Sequence, residues 1–150
     1  MRIFFDTNIL VRLMNPVDPN HATAFRVANH YLRNGDDLVL APQNVYEFWV
    51  VATRPAVANG LGMTVTEAAT ELVNLRQQFT ILDDIPPILH EWERLVTTHG
   101  VIGKPAYDAR LVAAMPVHGL THILTFNIGD FQRFPGITVL DPAMVAAPGP

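Results

Sequence analysis

Four acidic residues, Asp6, Glu47, Asp108 and Asp130, hold the chemistry this chain could perform. Two carboxylates about 5 Å apart repel by about 3 kcal/mol at an effective dielectric of about 20. A group of four therefore either keeps protons, with raised pKa values, or binds a cation. Donors that are all oxygen select hard metals, Mg²⁺ or Mn²⁺ before Zn²⁺. Such an ion with open water positions suits phosphate-ester hydrolysis. It activates a water and stabilises charge developing on the phosphoryl oxygens.

Glu47 is the most informative of the four. It lies in Val45-Tyr46-Glu47-Phe48-Trp49-Val50-Val51, which reads as a helix apolar nearly all round and hence buried. A carboxylate there must be paired, hydrogen-bonded or bound to metal. Each acid also has a plain structural use. Asp6 could cap a helix, and Glu47 could lie on a narrow exposed stripe. Asp108 could complement a helix dipole, and Asp130 could form an Asx turn. Convergence of all four on one edge of a sheet is what would favour function.

The elements that must position them alternate strand-like apolar runs with helical patterns, the mark of an α/β domain with a mainly parallel sheet. Ile3-Phe4-Phe5 is a short strand apolar throughout, as a strand covered on both faces should be. Further strands are expected at residues 37–41, 79–82, 122–125 and 137–140. A brief helix is expected at about 9–14, after Asp6-Thr7-Asn8. A second, at 20–34, has Phe25, Ala28 and Leu32 on one stripe with Tyr31 beside it. Pro42, Pro86 and Pro105 can each open a helix at its first turn. A capping box at Thr64 and Glu67 starts another. In a parallel α/β sheet ligands bind outside the carboxyl ends of the strands. Asp6 directly follows the first strand, Asp130 follows the fourth, and Asp108 lies near the start of the Pro105 helix.

Composition bounds the rest. The 150 residues are 49% hydrophobic, enough for one domain with a real core, here residues 1–141. Residues 142–150 hold three prolines and a glycine and read as a fraying tail. There is no cysteine, so disulfides, thiolate zinc and thiol nucleophiles are excluded, and the cytoplasm is the expected location. The start has a three-residue apolar run, where a signal peptide needs roughly 7–15. No apolar stretch approaches the ~18–20 residues of a membrane span. The net charge of −4 argues against a passive, sequence-blind nucleic-acid coat. Phosphate-loop, dinucleotide and serine-hydrolase signatures are absent. His90-Glu91-Trp92-Glu93-Arg94 lacks the second histidine of a zinc protease, and Asn8 replaces the second aspartate of a D-x-D phosphatase.

In order along the chain, Phe5-Asp6-Thr7-Asn8, Glu47, Tyr107-Asp108-Ala109, and Thr125-Phe126-Asn127 with Asp130-Phe131 resemble the PIN-domain ribonucleases. Within them the VapC-type toxins of bacterial toxin–antitoxin pairs are the nearest subgroup. The likeness covers essentially the whole chain. It implies a three-layer α/β/α fold with about five strands and endoribonuclease activity dependent on Mg²⁺ or Mn²⁺. A homodimer and a small antitoxin that blocks the site are implied as well. By position, Asp6, Glu47, Asp108 and Asp130 would be metal ligands and catalytic, with Thr7, Asn8, Thr125 and Asn127 as supporting polar groups. Many relatives carry Asp where Asn127 stands, which favours one ion over two. Thr7 or Asn8, at the helix start, would hold a phosphate oxygen. Arg12, Lys104 and Arg110 would contact the RNA backbone or serve as solvated surface. Phe48-Trp49 reads as core or dimer packing before base stacking. The alternatives are a catalytically silent PIN-like module that holds RNA or protein, and a Mg²⁺-dependent phosphatase.

Overall fold

A computed structural model describes residues 1–145. Five strands form one wholly parallel sheet: β1 (Arg2–Phe5), β2 (Asp37–Leu40), β3 (Thr80–Ile81), β4 (His122–Leu124) and β5 (Thr138–Leu140). Their spatial order is β3-β2-β1-β4-β5. β1 is central because Ile3, Phe4 and Phe5 are apolar and wholly buried, so neither face needs water. Ile3 and Phe5 join one hydrophobic cluster and Phe4 the other, the alternation of a strand.

The first cluster is closed by α1 (Thr7–Leu13), α2 (His21–Arg33), α3 (Pro42–Thr53) and α4 (Val65–Gln78). The second is closed by α5 (Pro86–Thr98), α6 (Pro105–Val117) and α7 (Ile128–Gln132). The result is the expected α/β/α sandwich. Pro42, Pro86 and Pro105 each stand at the first helical position, and the Thr64 hydroxyl caps α4 by accepting from the Glu67 amide. The turn after α3 takes Asn59 into the left-handed region. Gly60 then lies so close to the Arg54 carbonyl that no Cβ would fit.

The topology places the site. The chain builds β1, β2 and β3 outward in one direction, then crosses to lay β4 on the other side of β1. At such a switch point the two following connections part and leave a crevice at the carboxyl ends of the strands. Asp6 and Thr125 are the residues directly after β1 and β4, and the Asp6 amide donates to the Leu124 carbonyl (3.0 Å).

Several expectations need correction. The buried stripe of α2 is Ala24, Val27, Ala28 and Tyr31, whereas Phe25 is 57% exposed and Leu32 40%. α3 is not buried all round: Tyr46 and Val50 face outward, and Glu47 is half-buried at the edge of the packed face. α1 begins two residues early, at Thr7, because Asp6 caps it. Asp130 lies not in a turn but in the first turn of α7, anchored by buried Phe131. Pro142–Val145, expected to fray, forms a short helix α8 with Val145 packed against the first cluster. Residues 146–150 of that expected tail lie outside the described residues.

Candidate metal centre

Asp6 stands at the carboxyl end of β1, beside Thr125 at the end of β4. Its side chain is buried, 5% exposed. Oδ1 accepts from the Thr7 amide (2.7 Å) and Oδ2 from the Thr125 hydroxyl (2.7 Å). Thr125 Oγ1 also accepts from Asn8 Nδ2 (3.0 Å) and the Asn127 amide (3.0 Å), so its one hydrogen is committed to Asp6. Asn8 Oδ1 accepts from the Phe126 amide (3.3 Å). Thr7, Asn8 and Thr125 thus knit the end of β1 to the end of β4.

Glu47 reaches the crevice from α3 and is gripped at both oxygens. Thr7 Oγ1 donates to Oε2 (2.8 Å) and Gln43 Nε2 to Oε1 (2.6 Å). Thr7 Oγ1 in turn accepts from Asn44 Nδ2 (3.1 Å), while Asn44 Oδ1 accepts from the Ala41 amide (2.8 Å). Gln43 Nε2 also donates to the Tyr107 carbonyl (2.9 Å), and Arg110 Nη1 donates to Gln43 Oε1 (3.1 Å).

Asp108, in the first turn of α6, is half-buried, and Asp130 is exposed on α7. The four carboxylates feel one another. Burial raises the Asp6 carboxyl from 3.8 to about 7, with the Thr125 hydroxyl opposing and Asp108 and Glu47 adding. Burial likewise raises Asp108 from 3.8 to about 6, with Asp130 and then Glu47 adding. Among the described residues none of the four has a basic partner within ion-pair distance. Nor do three acidic or histidine side chains among them close into a metal shell as they stand. With no basic partner, the repulsion among these carboxylates is uncompensated.

The other expected residues divide. The Thr7 hydroxyl is occupied by Glu47 and Asn44, and the Asn8 side chain bonds Thr125 and the Phe126 amide. Arg12 is turned inward: Nη1 donates to the Asn8 carbonyl (3.0 Å), and the guanidinium lies 4.7 Å from the centre of the Phe126 ring and 3.8 Å from Asp18. Arg110 pairs with Asp84 (2.9 Å) as well as Gln43. Lys104, at the start of α6, is exposed, as is Asn127. Phe48 is core and Trp49 packs against it. Sequence reasoning missed Gln43 and Asn44, both buried polar residues. The available signal was Gln43 four residues before Glu47, on the same helix face.

The knit around Thr125 predicts a stability effect. Thr125→Val leaves buried Asp6 Oδ2 without its side-chain donor and strips part-buried Asn8 of its acceptor. Each buried unsatisfied group costs about 1–3 kcal/mol. Urea denaturation should show a loss of that order, and an unchanged midpoint would contradict the hydrogen-bond assignment.

A family model for the PIN domain matches residues 3–137, nearly the whole chain. The chain belongs to the PIN-domain family. Comparison with curated protein sequences finds no match. Among solved structures, this PIN domain is similar to DNA-bound VapBC from Salmonella typhimurium, with TM-score 0.70 and 16% identity over 95% of this chain and 98% of that one. It is similar to FitAcB from Neisseria gonorrhoeae, with TM-score 0.62 and 21% identity over 93% and 97%. It is also similar to VapC20 of Mycobacterium tuberculosis, a Sarcin-Ricin loop cleaving toxin, with TM-score 0.61 and 22% identity over 81% and 86%. At these identities the likeness shows a shared fold. Among the described residues, no helix of this PIN domain is long and apolar enough to cross a membrane.

Proposed function

We propose that this PIN domain is a metal-dependent endoribonuclease, the toxin of a toxin–antitoxin pair, that hydrolyses RNA phosphodiesters with an activated water. One observation carries the reading: a buried Asp6 carboxyl, raised to about 7, faces Asp108 and Glu47 with no cationic side chain to neutralise them. The donor set fits a hard divalent ion, all oxygen and anionic. PIN domains in general bind divalent metal ions. Asp6, Asp108 and Asp130 would hold Mg²⁺ or Mn²⁺, one ion rather than two, since neutral Asn127 adds no fifth carboxylate. Bound there, the ion supplies Lewis-acid charge and a water of lowered pKa. Glu47, fixed at both oxygens, would orient the attacking water. Lys104, exposed at the start of α6, would meet the RNA backbone.

The structural neighbours supply the biological setting. One neighbour is a toxin–antitoxin complex from Klebsiella pneumoniae, and VapC20 is a Sarcin-Ricin loop cleaving toxin. A small protein antitoxin that covers the crevice, a homodimer and a cytoplasmic location fit the same reading.

The test is cleavage of a mixed cellular RNA pool by protein purified free of antitoxin. Discrete fragments are expected with Mg²⁺ or Mn²⁺ and none with excess EDTA. Hydrolysis of a small aryl phosphate instead of RNA would point to a phosphatase. RNA bound but uncut under every metal would make the chain a silent binding module.

A further inference from the structure

We propose that Gln43 is a positioning residue that holds Glu47 in register with Asp108, by joining α3 to the first turn of α6 through one side-chain amide. The proposal rests on Glu47 acting in the metal-dependent reaction, as argued above.

The amide is fully used and its orientation is fixed. Its nitrogen has two hydrogens, and both acceptors beside it, Glu47 Oε1 (2.6 Å) and the Tyr107 carbonyl (2.9 Å), lack hydrogens to offer. Its oxygen takes the Arg110 guanidinium (3.1 Å), which can only donate. A flipped amide would set oxygen against two acceptors and nitrogen against a cation. Gln43 is also 7% exposed, so water cannot stand in for these partners.

Each partner is significant for position. Glu47 lies one helical turn after Gln43 on α3, and the bond fixes the second oxygen of a carboxylate already held at the first by Thr7. The Tyr107 carbonyl belongs to the residue before Asp108, so the same nitrogen sets how far α3 stands from the start of α6. Arg110 adds its charge to the amide oxygen, which strengthens the bond to Glu47 on the other end. Asp84 holds Arg110 in place (2.9 Å). A chain Asp84–Arg110–Gln43–Glu47–Thr7 thus runs from the surface to the residue beside Asp6. Loss of a side chain that orients a metal ligand or its water typically costs 10–100-fold in metal affinity or activity.

Gln43→Met tests this, because methionine keeps the length and packing but has no donor. Two readouts run together: Mn²⁺ binding followed by electron paramagnetic resonance, without RNA, and kcat and KM for metal-dependent RNA cleavage. The expected result is Mn²⁺ affinity weaker by about 10-fold or more and kcat lower by 10–100-fold, with KM for RNA little changed. In a Glu47→Gln background, Gln43→Met should add nothing, since its effect passes through Glu47. Unchanged Mn²⁺ affinity with unchanged kcat, or a full additional loss in the Glu47→Gln background, overturns the proposal. A variant that melts early is replaced by Arg110→Met, which leaves the Gln43 amide in place but removes its cation. A several-fold fall in Mn²⁺ affinity is expected there, and none would overturn the chain of contacts. Mn²⁺ binding that depends on Gln43 in a protein that cuts no RNA would uphold the positioning role and sink the ribonuclease reading.

Discussion

Asp108→Asn is expected to lower metal-dependent RNA cleavage by more than ~100-fold, beyond the 10–100-fold that loss of an outer partner costs, while leaving the fold as stable as before or more so. The two halves of this expectation come from one feature. Among the described residues the Asp108 side chain makes no hydrogen bond, and its pKa is raised to about 6, first by burial and then by Asp130 and Glu47. Its charge therefore opposes the metal-free fold and binds nothing within it. An amide of the same shape removes a repulsion and loses no contact. What disappears is an anionic oxygen donor, which a hard cation requires. Single-turnover cleavage of RNA and urea denaturation of the same preparation measure the two halves. Cleavage within ~10-fold of the parent would remove Asp108 from the ligand set. A large loss of stability would instead mean that Asp108 has a structural partner. Asp6→Asn cannot make this distinction. One face of its amide would oppose either the Thr7 amide or the twice-accepting Thr125 oxygen, so fold and function would suffer together.

What could be seen in the sequence follows the range over which each feature is decided. β1 was legible because three consecutive apolar residues, closed by an aspartate, have few places to go except a covered strand with a polar end. Pro42, Pro86 and Pro105 marked helix starts through local sterics alone. The four acids were named because each stands beside such a local mark. The spatial order of the strands was not legible, since pairing of β1 with β4 is settled by residues some 120 apart along the chain. α2 was misjudged because large apolar residues were taken as its inner face. Its close approach to the sheet admits Ala24 and Ala28, and Phe25 is left outside. α7 was missed because Gly129, in its second position, costs about 1 kcal/mol relative to alanine in a helix. The burial of Phe131 and Phe134 outweighs that local cost. Gln43 shows the same limit at the site. Its value lies in a carbonyl and a guanidinium on α6, and neither is visible from α3.

Metal-free protein should lose stability as pH rises from about 4 to about 7, and a divalent cation should restore it, with the largest restoration above pH 7. The folded pKa of Asp6, about 7, exceeds its ordinary value of 3.8. The folded state therefore holds a proton that the unfolded chain has released across that interval. Stability falls with pH wherever the folded state binds more protons. The full contribution is present below pH 4 and gone above about 7. Three pKa units correspond to about 4 kcal/mol, an upper figure, since an unfolded chain is never fully solvated at this position. Asp108 adds a fall in the same direction, complete by about pH 6 and smaller because water screens a half-exposed group. Cation and proton compete for the same oxygens, so binding at pH 6 must expel protons that are already absent at pH 8. Binding to the folded state alone then stabilises by about 2.7 kcal/mol at a concentration one hundred times Kd. Melting curves from pH 5 to 8, in EDTA and in excess Mn²⁺, should diverge progressively. The decisive comparison is Asp6→Asn in EDTA, whose curve should be flatter by the Asp6 contribution whatever its absolute midpoint. Parallel curves for parent and variant would mean that Asp6 is ionised throughout in the folded protein. The crevice would then already contain the positive charge that its carboxylates are inferred to await.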